Sequence, residues 1–222
     1  METEETGVRS QESGDGIQPF RFGLVLLAAG ASVRMGQPKQ LIEVGSQPLV
    51  VRAVQAALAS RAWPVVVVLG AHAARIRPLL AREPVLIAEN PTWTEGMASS
   101  LRTGLQTLQS FSRALDGALV ALVDQPAFSA DVIARLVTAR RDTGRGIVAA
   151  RYAGRLGVPA LFGREHFAAL AALTGEEGAK HFLAAHADKT AAVDLPELAV
   201  DLDTPEDVAR LAAEAVTRKT KI

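Results

Sequence analysis

Cysteine is absent from the sequence, and this excludes disulfide bonds, thiolate metal sites and cysteine nucleophiles. The absence is typical of a reducing compartment, and we expect the protein to be cytoplasmic. Net charge is absent too, because 24 Lys and Arg residues balance 24 Asp and Glu residues. No global field therefore draws the protein to nucleic acid or to a membrane. An anionic ligand must instead be held by local charges and oriented backbone groups.

Long apolar runs are missing as well. The longest, such as residues 65–69, are far too short to span a bilayer. The first 19 residues are polar and acidic, without the basic and apolar regions of a signal peptide. We predict a disordered lead over residues 1–19, a single folded domain over residues 20–216 and a flexible tail over residues 217–222.

Between these ends, short apolar segments alternate with amphipathic ones. The predicted strands are residues 23–28, 65–69, 85–88, 117–123, 147–150, 158–162 and 191–194. The predicted helices are residues 48–59, 71–81, 97–108, 129–141, 167–173 and 179–187, with a last helix capped by Thr204. This alternation predicts a three-layer α/β/α sandwich with a mostly parallel, Rossmann-like sheet. Since ligands bind beyond the carboxyl ends of such strands, the loops after Ala28, Ala88 and Val123 should share one cleft.

The loop after the first strand has the composition of a phosphate-binding loop. Residues 27–39 read Leu-Ala-Ala-Gly-Ala-Ser-Val-Arg-Met-Gly-Gln-Pro-Lys. Small residues let backbone N–H groups approach an anion, and Gly30 and Gly36 permit a positive φ. Arg34 and Lys39 supply positive charge, although a tight turn with two solvated cations is the alternative interpretation. The spacing excludes both a Walker A loop and a Gly-x-Gly-x-x-Gly dinucleotide loop.

A second stretch, residues 90–105, leads into a predicted helix through a Gly-Met-Ala-Ser-Ser run. Hydroxyl and N–H groups at the start of a helix suit a polar ligand such as a base or a phosphate. The structural alternative makes Ser99 a helix cap and places Trp93 and Met97 in the core.

A third feature is Asp124, which follows a buried strand. An unpaired carboxylate is costly in such a place. Because Ser129 already caps the following helix, we interpret Asp124 as a metal ligand rather than a cap. Mg²⁺ prefers oxygen ligands and usually takes one or two protein carboxylates together with substrate phosphates.

The four histidines, at positions 72, 166, 181 and 186, lie on or near predicted helices without the spacing of metal ligands. We interpret all four as structural or solvated residues.

These stretches resemble a known family. Residues 27–39 resemble the signature Leu-Ala-x-Gly-x-Ser-x-Arg-Met-Gly-x-x-Lys of the MobA-like nucleotidyltransferases, and residues 90–105 resemble a block of their molybdopterin cytidylyltransferase branch. The resemblance implies a sandwich of the nucleotide-diphospho-sugar transferase type and a Mg²⁺-dependent nucleotidyl transfer with Lys39, Arg34 and Asp124 as catalytic residues. The implied nucleotide-binding residues are Leu27, Ala28, Ala29, Gly30, Ala31, Ser32, Arg34, Lys39, Ser99 and Ser100.

The resemblance also implies a second metal ligand. Asp203 matches the usual position, and Asp201 is the fallback. The alternative for this segment is a capping box formed by Thr204 and Asp207, and both roles can hold at once.

On the acceptor side, the resemblance covers an Asp-Gln-Pro block and two glycine-containing blocks. Val158 stands where the family often has His, and Lys180 where it often has Arg; both differences bear on which acceptor is used. The implied acceptor-binding residues are Gln125, Pro126, Gly157, Pro159, Glu177 and Gly178.

Ala29 bears on the nucleotide, since guanylyl-transferring relatives have Gly at this position. The resemblance therefore implies transfer of CMP from CTP to molybdopterin, with release of pyrophosphate and with a molybdenum hydroxylase apoenzyme as a possible partner. Three alternatives stay open: a cytidylyl- or guanylyltransferase for another phosphorylated acceptor, such as a sugar or alditol phosphate; a non-catalytic insertion chaperone for molybdenum cofactor; and an NAD(P)-dependent oxidoreductase. The missing dinucleotide fingerprint argues against the last of these.

Overall fold

The computed structural model describes residues 20–176, 178–202, 207 and 210. The predicted lead and tail lie outside these residues, and of the predicted Thr204-capped helix only residues 207 and 210 are described, both as helical. Among the helices that are described, none has the length and apolarity that a membrane crossing requires.

The strands and helices follow the predicted alternation closely. The strands are β1 (Phe22–Ala28), β2 (Glu43–Val44), β3 (Gln47–Pro48), β4 (Val65–Leu69), β5 (Leu86–Glu89), β6 (Gly117–Leu122), β7 (Ile147–Tyr152), β8 (Arg155–Gly163) and β9 (Thr190–Asp194). The α-helices are α1 (Leu49–Leu58), α2 (Ala73–Ile76), α3 (Met97–Phe111), α4 (Ala130–Thr143), α5 (Phe167–Ala171) and α6 (Ala179–Ala185).

Seven strands form one sheet in the order β5-β4-β1-β6-β8-β7-β9. All neighbouring pairs are parallel except those of β8, which runs antiparallel to β6 and to β7. The structure thus confirms the predicted mostly parallel α/β sandwich. Strand β1 lies between β4 and β6, and all of its residues are buried. This burial on both faces explains why its sequence is a continuous apolar run.

Helices cover both faces of the sheet. Alternate residues of β1 point to opposite sides, so that Leu24 and Leu26 pack in one core with α1 and α4. Val25 and Leu27 pack in the other core with α3, α5 and α6. This arrangement leaves the carboxyl ends of β1, β4 and β6 as the edge where loops from one side of the sheet can meet.

Three local features differ from the sequence prediction. The predicted helix over 71–81 is divided into α2 and a 3₁₀ helix at Arg77–Leu80, because Pro78 has no backbone N–H to continue the α-helical hydrogen bonds. Strand β8 starts earlier than predicted, since Ala153 and Gly154, both with positive φ, form a tight turn that joins it to β7. The small β2–β3 hairpin was not predicted.

Candidate active site

A cavity of about 260 Å³ opens beyond the carboxyl ends of β1 and β6. The loop after β1, the segment before α3 and the end of β6 all contribute to it, as the shared-cleft prediction requires. Its lining residues are Leu27, Ala28, Ala29, Gly30, Ala31, Lys39, Gln40, Trp93, Thr94, Gly96, Met97, Ser100, Leu122, Val123, Asp124 and Glu176.

The loop after β1 has the backbone of a compact anion-binding turn. Ser32 adopts the left-handed conformation with φ of 55°, and Gly36 does so with φ of 65°. The Ser32 Oγ accepts a hydrogen bond of 3.0 Å from the backbone N–H of Lys39, which closes the loop. Met35 is buried and anchors the loop in the core, whereas the Arg34 side chain is exposed and does not line the cavity.

Lys39 and Asp124 meet within the cavity. The Lys39 Nζ donates to the Asp124 Oδ2, and the two side chains are only 20% and 13% exposed. The Asp124 Oδ1 is buried and has no hydrogen-bond partner among the described residues. A buried carboxylate oxygen without a donor suits a divalent cation, which prefers such ligands.

Of the two other metal ligands considered from the sequence, the structure describes only Asp201. Asp203 lies outside the described residues. Leu202, which precedes it, donates its backbone N–H to the Asp124 carbonyl oxygen over 3.0 Å. Asp201, the fallback ligand, lines a second cavity. Within the described ranges no three His, Cys, Asp or Glu residues cluster as a metal site. The buried Asp124 Oδ1 nevertheless fits a cation that is held by few carboxylates and by substrate phosphates.

Two adjacent serines at the start of α3 have different surroundings. Ser100, a predicted nucleotide-binding residue, lines the cavity. Ser99 is buried, and its Oγ donates to the Gly96 carbonyl oxygen over 2.8 Å. Asn90, which the sequence reasoning did not select, donates through its Nδ2 to both serine hydroxyls, at 2.8 Å and 3.0 Å. The side chain of Ser99 thus stabilises the turn before α3 rather than lining the cavity.

A second cavity of about 190 Å³ adjoins the first and shares Leu27, Met97 and Leu122 with it. Its walls are mostly apolar, with three charged side chains on them. The other lining residues are Val120, Tyr152, Arg155, Leu156, Gly157, Val158, Ala179, Lys180 and Asp201.

Of the predicted acceptor-binding residues, Gly157 lines this second cavity. Gly178 packs on Met97, where an added Cβ would lie 2.5 Å from the Met97 Sδ. Pro159 lies buried within β8, and Pro126 lines neither cavity. Glu177 lies outside the described residues, while its neighbour Glu176 lines the first cavity.

Gln125 is buried behind the second cavity and supports its wall. Its Nε2 donates to the Tyr152 hydroxyl over 3.0 Å and to the Val158 carbonyl oxygen over 3.2 Å. The Tyr152 hydroxyl in turn donates to the Val158 carbonyl over 2.8 Å. Burial raises the pKa of the Tyr152 phenol, and the Asp201 carboxylate raises it further. Tyr152 therefore stays a neutral donor at physiological pH.

Comparison with known proteins gives a consistent family. A model described as the MobA-like NTP transferase domain matches residues 24–192. The nicotine blue oxidoreductase of Paenarthrobacter nicotinovorans is 35% identical over 202 residues, which cover 84% of this chain and 94% of that protein. The purine catabolism protein PucB of Bacillus subtilis (strain 168) is 28% identical over 202 residues, which cover 85% of this chain and 94% of that protein.

A solved structure shares the fold over nearly its whole length. The homolog of Mycobacterium tuberculosis Rv0371c from Mycobacterium sp. strain JC1 superposes with a TM-score of 0.76 at 27% sequence identity. The superposition covers 90% of this chain and 99% of that chain.

Proposed function

This chain belongs to the MobA-like NTP transferase family and is a nucleotidyltransferase; we propose that it transfers CMP from CTP to molybdopterin and uses Mg²⁺ to do so. The observation that supports the proposal most is the Lys39–Asp124 pair, which lines the first cavity together with the loop after β1. It puts a cation and a potential metal-binding carboxylate beside backbone groups suited to phosphates.

The first cavity would hold the nucleotide. The loop N–H groups would bind the β- and γ-phosphates, and Lys39 would offset negative charge at the α-phosphate. Arg34 does not line the cavity, so it would contact these phosphates from the exposed side of the loop. Ser100 supplies a hydroxyl for the base or ribose. Asp124, with Asp203 as the second predicted ligand, would hold Mg²⁺, which neutralises phosphate charge when bound.

The chemistry requires positioning more than covalent help. A phosphate oxygen of the acceptor forms a bond to the α-phosphorus of CTP, while the bond from that phosphorus to the bridging oxygen of the β-phosphate breaks, and pyrophosphate leaves. No general base is needed, because a phosphate monoester is already an anion at neutral pH. The residues of the chain therefore orient the two substrates and balance their charge.

The second cavity would hold the acceptor. Its apolar walls suit a flat ring system, and Arg155 and Lys180 supply positive charge for a phosphate group. Because this cavity adjoins the first, a bound acceptor phosphate can approach the α-phosphate of the nucleotide. Ala29, in place of the Gly of guanylyl-transferring relatives, supports CTP as that nucleotide.

Pyrophosphate release tests the proposal directly. The purified protein is incubated with Mg²⁺, molybdopterin and either CTP or GTP, and with CTP and a sugar or alditol phosphate in place of molybdopterin. We expect rapid release only with CTP and molybdopterin. Release with GTP would refute the nucleotide assignment, and release with another acceptor would refute the molybdopterin assignment.

One relative supports a second candidate function, because its name describes an oxidoreductase and it is 35% identical to this chain. On that alternative, the same cavity would bind a nicotinamide dinucleotide instead of CTP. The fluorescence of NADH on titration with the protein separates the two. Binding of NADH without binding of CTP would favour the oxidoreductase, and the reverse would exclude it.

A further inference from the structure

The carbonyl oxygens at the start of the phosphate-binding loop are all occupied. The Nε2 of Gln40 donates to the Ala28 oxygen over 3.0 Å and to the Gly30 oxygen over 2.9 Å. The oxygen between them, that of Ala29, accepts from the backbone N–H of Ala71 over 3.0 Å. The Ala31 oxygen lies 3.0 Å from the His72 Nε2. Since a carbonyl can only accept, this nitrogen carries the proton.

The N–H groups of the same loop are in the opposite situation. Within the part of the chain that the structure describes, the backbone N–H groups of Gly30, Ala31 and Ser32 have no hydrogen-bond acceptor. The C=O and N–H of a trans peptide point in opposite directions. Holding the carbonyl oxygens of residues 29–31 therefore also sets the direction of these three N–H groups.

We propose that Gln40 and His72 are positioning residues: by donating hydrogen bonds to carbonyl oxygens of the phosphate-binding loop, they fix the orientation of its peptide groups. The inference rests on the proposed function, in which the loop binds the phosphates of a nucleotide. A free carbonyl oxygen that turned towards the cavity would repel a phosphate, whereas a carbonyl held by a donor keeps the N–H groups available.

The environment of Gln40 supports this role. Its side chain is 2% exposed, and its Oε1 is buried without a partner among the described residues. A buried unsatisfied oxygen is costly, so an apolar side chain would pack at lower cost unless the two Nε2 bonds were needed. The opposite orientation of the amide would place Oε1 against two carbonyl oxygens, which fixes the assignment of the nitrogen.

The test compares Gln40→Leu and His72→Leu with the wild type. Gln106→Leu, at an exposed position of α3, is the matched control, and His72→Gln restores a donor. Calorimetry measures binding of Mg²⁺-CTP and of Mg²⁺ with inorganic tripolyphosphate, which lacks base and ribose. Amide ¹⁵N relaxation measures the order of Gly30, Ala31 and Ser32 in ligand-free protein.

We expect Gln40→Leu to weaken the binding of both ligands by about 10-fold or more, a change of about 1.4 kcal/mol. The order parameters of the Ala31 and Ser32 amides should fall from about 0.85 towards 0.6, whereas that of Gly30 should change less because Ala71 still holds its peptide. His72→Leu should have the same effects to a smaller degree, and His72→Gln should recover part of the loss. His72→Leu also keeps the test decisive if Gln40→Leu does not fold.

Wild-type affinity and unchanged order parameters in both Leu variants would overturn the inference. Weaker binding of CTP with unchanged binding of tripolyphosphate would overturn it as well, because the loop is proposed to contact phosphates. If the wild type binds neither ligand, the proposed function fails, and the relaxation data alone then decide: lower order in the variants supports the positioning role, and unchanged order refutes it.

Discussion

Lys39 and Asp124 form an ion pair with little exposure to solvent. The position of each side chain therefore depends on the other as well as on the ligands. Removing a charge that acts in the transition state commonly lowers a rate by about 10²–10³. We therefore expect Lys39→Ala and Asp124→Ala each to lower kcat for pyrophosphate release by about that factor, with the fold intact by circular dichroism. The double variant should be only slightly worse than either one, since the two groups act together.

Asp116→Ala provides the control for removing a carboxylate. Asp116 is paired with Arg21, and both side chains are well exposed. Its loss should leave kcat near the wild-type value, because Asp116 lines neither cavity and an exposed ion pair contributes little to stability. Near-wild-type turnover in Asp124→Ala would contradict the metal assignment.

His166 gives a prediction about pH. Burial lowers its pKa below the ordinary value of 6.5, and the neighbouring His186 lowers it further, against the opposing charge of Glu165. The unfolded chain therefore binds more protons than the folded one between the lowered pKa and about 6.5. Stability should rise with pH through this window and should be lost as the pH falls below about 6.5.

Thermal unfolding between about pH 5 and pH 8 measures this effect. We expect His166→Gln to flatten the dependence of Tm on pH below about 6.5. His181→Gln changes an exposed histidine and controls for the substitution itself. An unchanged slope in His166→Gln would show that other groups set the acid sensitivity.

Among single residues, sequence reasoning located those with an obvious chemical signal. Lys39 is a charged residue in the glycine-containing loop after β1, Asp124 is one that follows a buried strand, and the structure brings them together. Gln40 and Asn90 were missed because a neutral amide carries no signal in a sequence. Their roles depend on which backbone and hydroxyl groups the fold places within 3.0 Å of the amide nitrogen.

At the scale of elements, the start of α3 depends on a close approach of two loops. Gly96 has a φ of 104°, and an added Cβ would lie 2.3 Å from the carbonyl oxygen of Gly175. That oxygen accepts the backbone N–H of Ala98 over 3.1 Å. The contact joins the segment that leads to the second cavity with the helix that lines the first.

We expect Gly96→Ala to lower the free energy of unfolding by more than the about 1–3 kcal/mol of a strained backbone alone, because the Cβ also collides with main chain. Gly144→Ala is the matched control, since its φ of 64° is also positive but nothing lies within 4 Å of the added Cβ. Urea denaturation of both variants separates strain from collision. Equal losses would show that the Gly175 contact contributes nothing.

Periodicity and composition predicted the sheet strands well but not their partners. Strands β1 and β4 are buried on both faces, and each was recognised as a continuous apolar run. The antiparallel direction of β8 was not predicted, because it follows from a turn at Ala153 and Gly154 that changes the connection rather than the pattern of the strand. Local sequence sets an element more strongly than it sets the neighbour in the sheet.

At the scale of the whole molecule, the two cavities meet at the carboxyl end of the central strands. Leu27 at the end of β1 and Leu122 at the end of β6 line both cavities. Nucleotide and acceptor would thus lie side by side at the ends of the same pair of strands, with Asp124 two residues after β6. Because the strands are buried on both faces, this edge is a rigid support for ligands that must be aligned.

Ligand binding to this support should stabilise the entire fold. At a nucleotide concentration of about 100 times Kd, binding adds about 2.7 kcal/mol to the free energy of unfolding. For a chain of this size, that corresponds to a rise in Tm of about 5–10 °C. We expect CTP with Mg²⁺ to give this rise, and GTP a smaller one, in a differential scanning fluorimetry panel.

Removal of the metal tests whether this rise in Tm depends on a divalent cation. Without a divalent cation, the Asp124 carboxylate repels the phosphates that Lys39 attracts, so chelation with EDTA should abolish most of the shift. Asp124→Asn should lose the dependence on Mg²⁺ while keeping a small shift from the loop and Lys39. A Tm shift that is equal with and without EDTA would contradict the metal site but not the nucleotide site.

A Tm shift with NADH but not with CTP would instead favour the oxidoreductase, because the first cavity would then bind NADH rather than CTP.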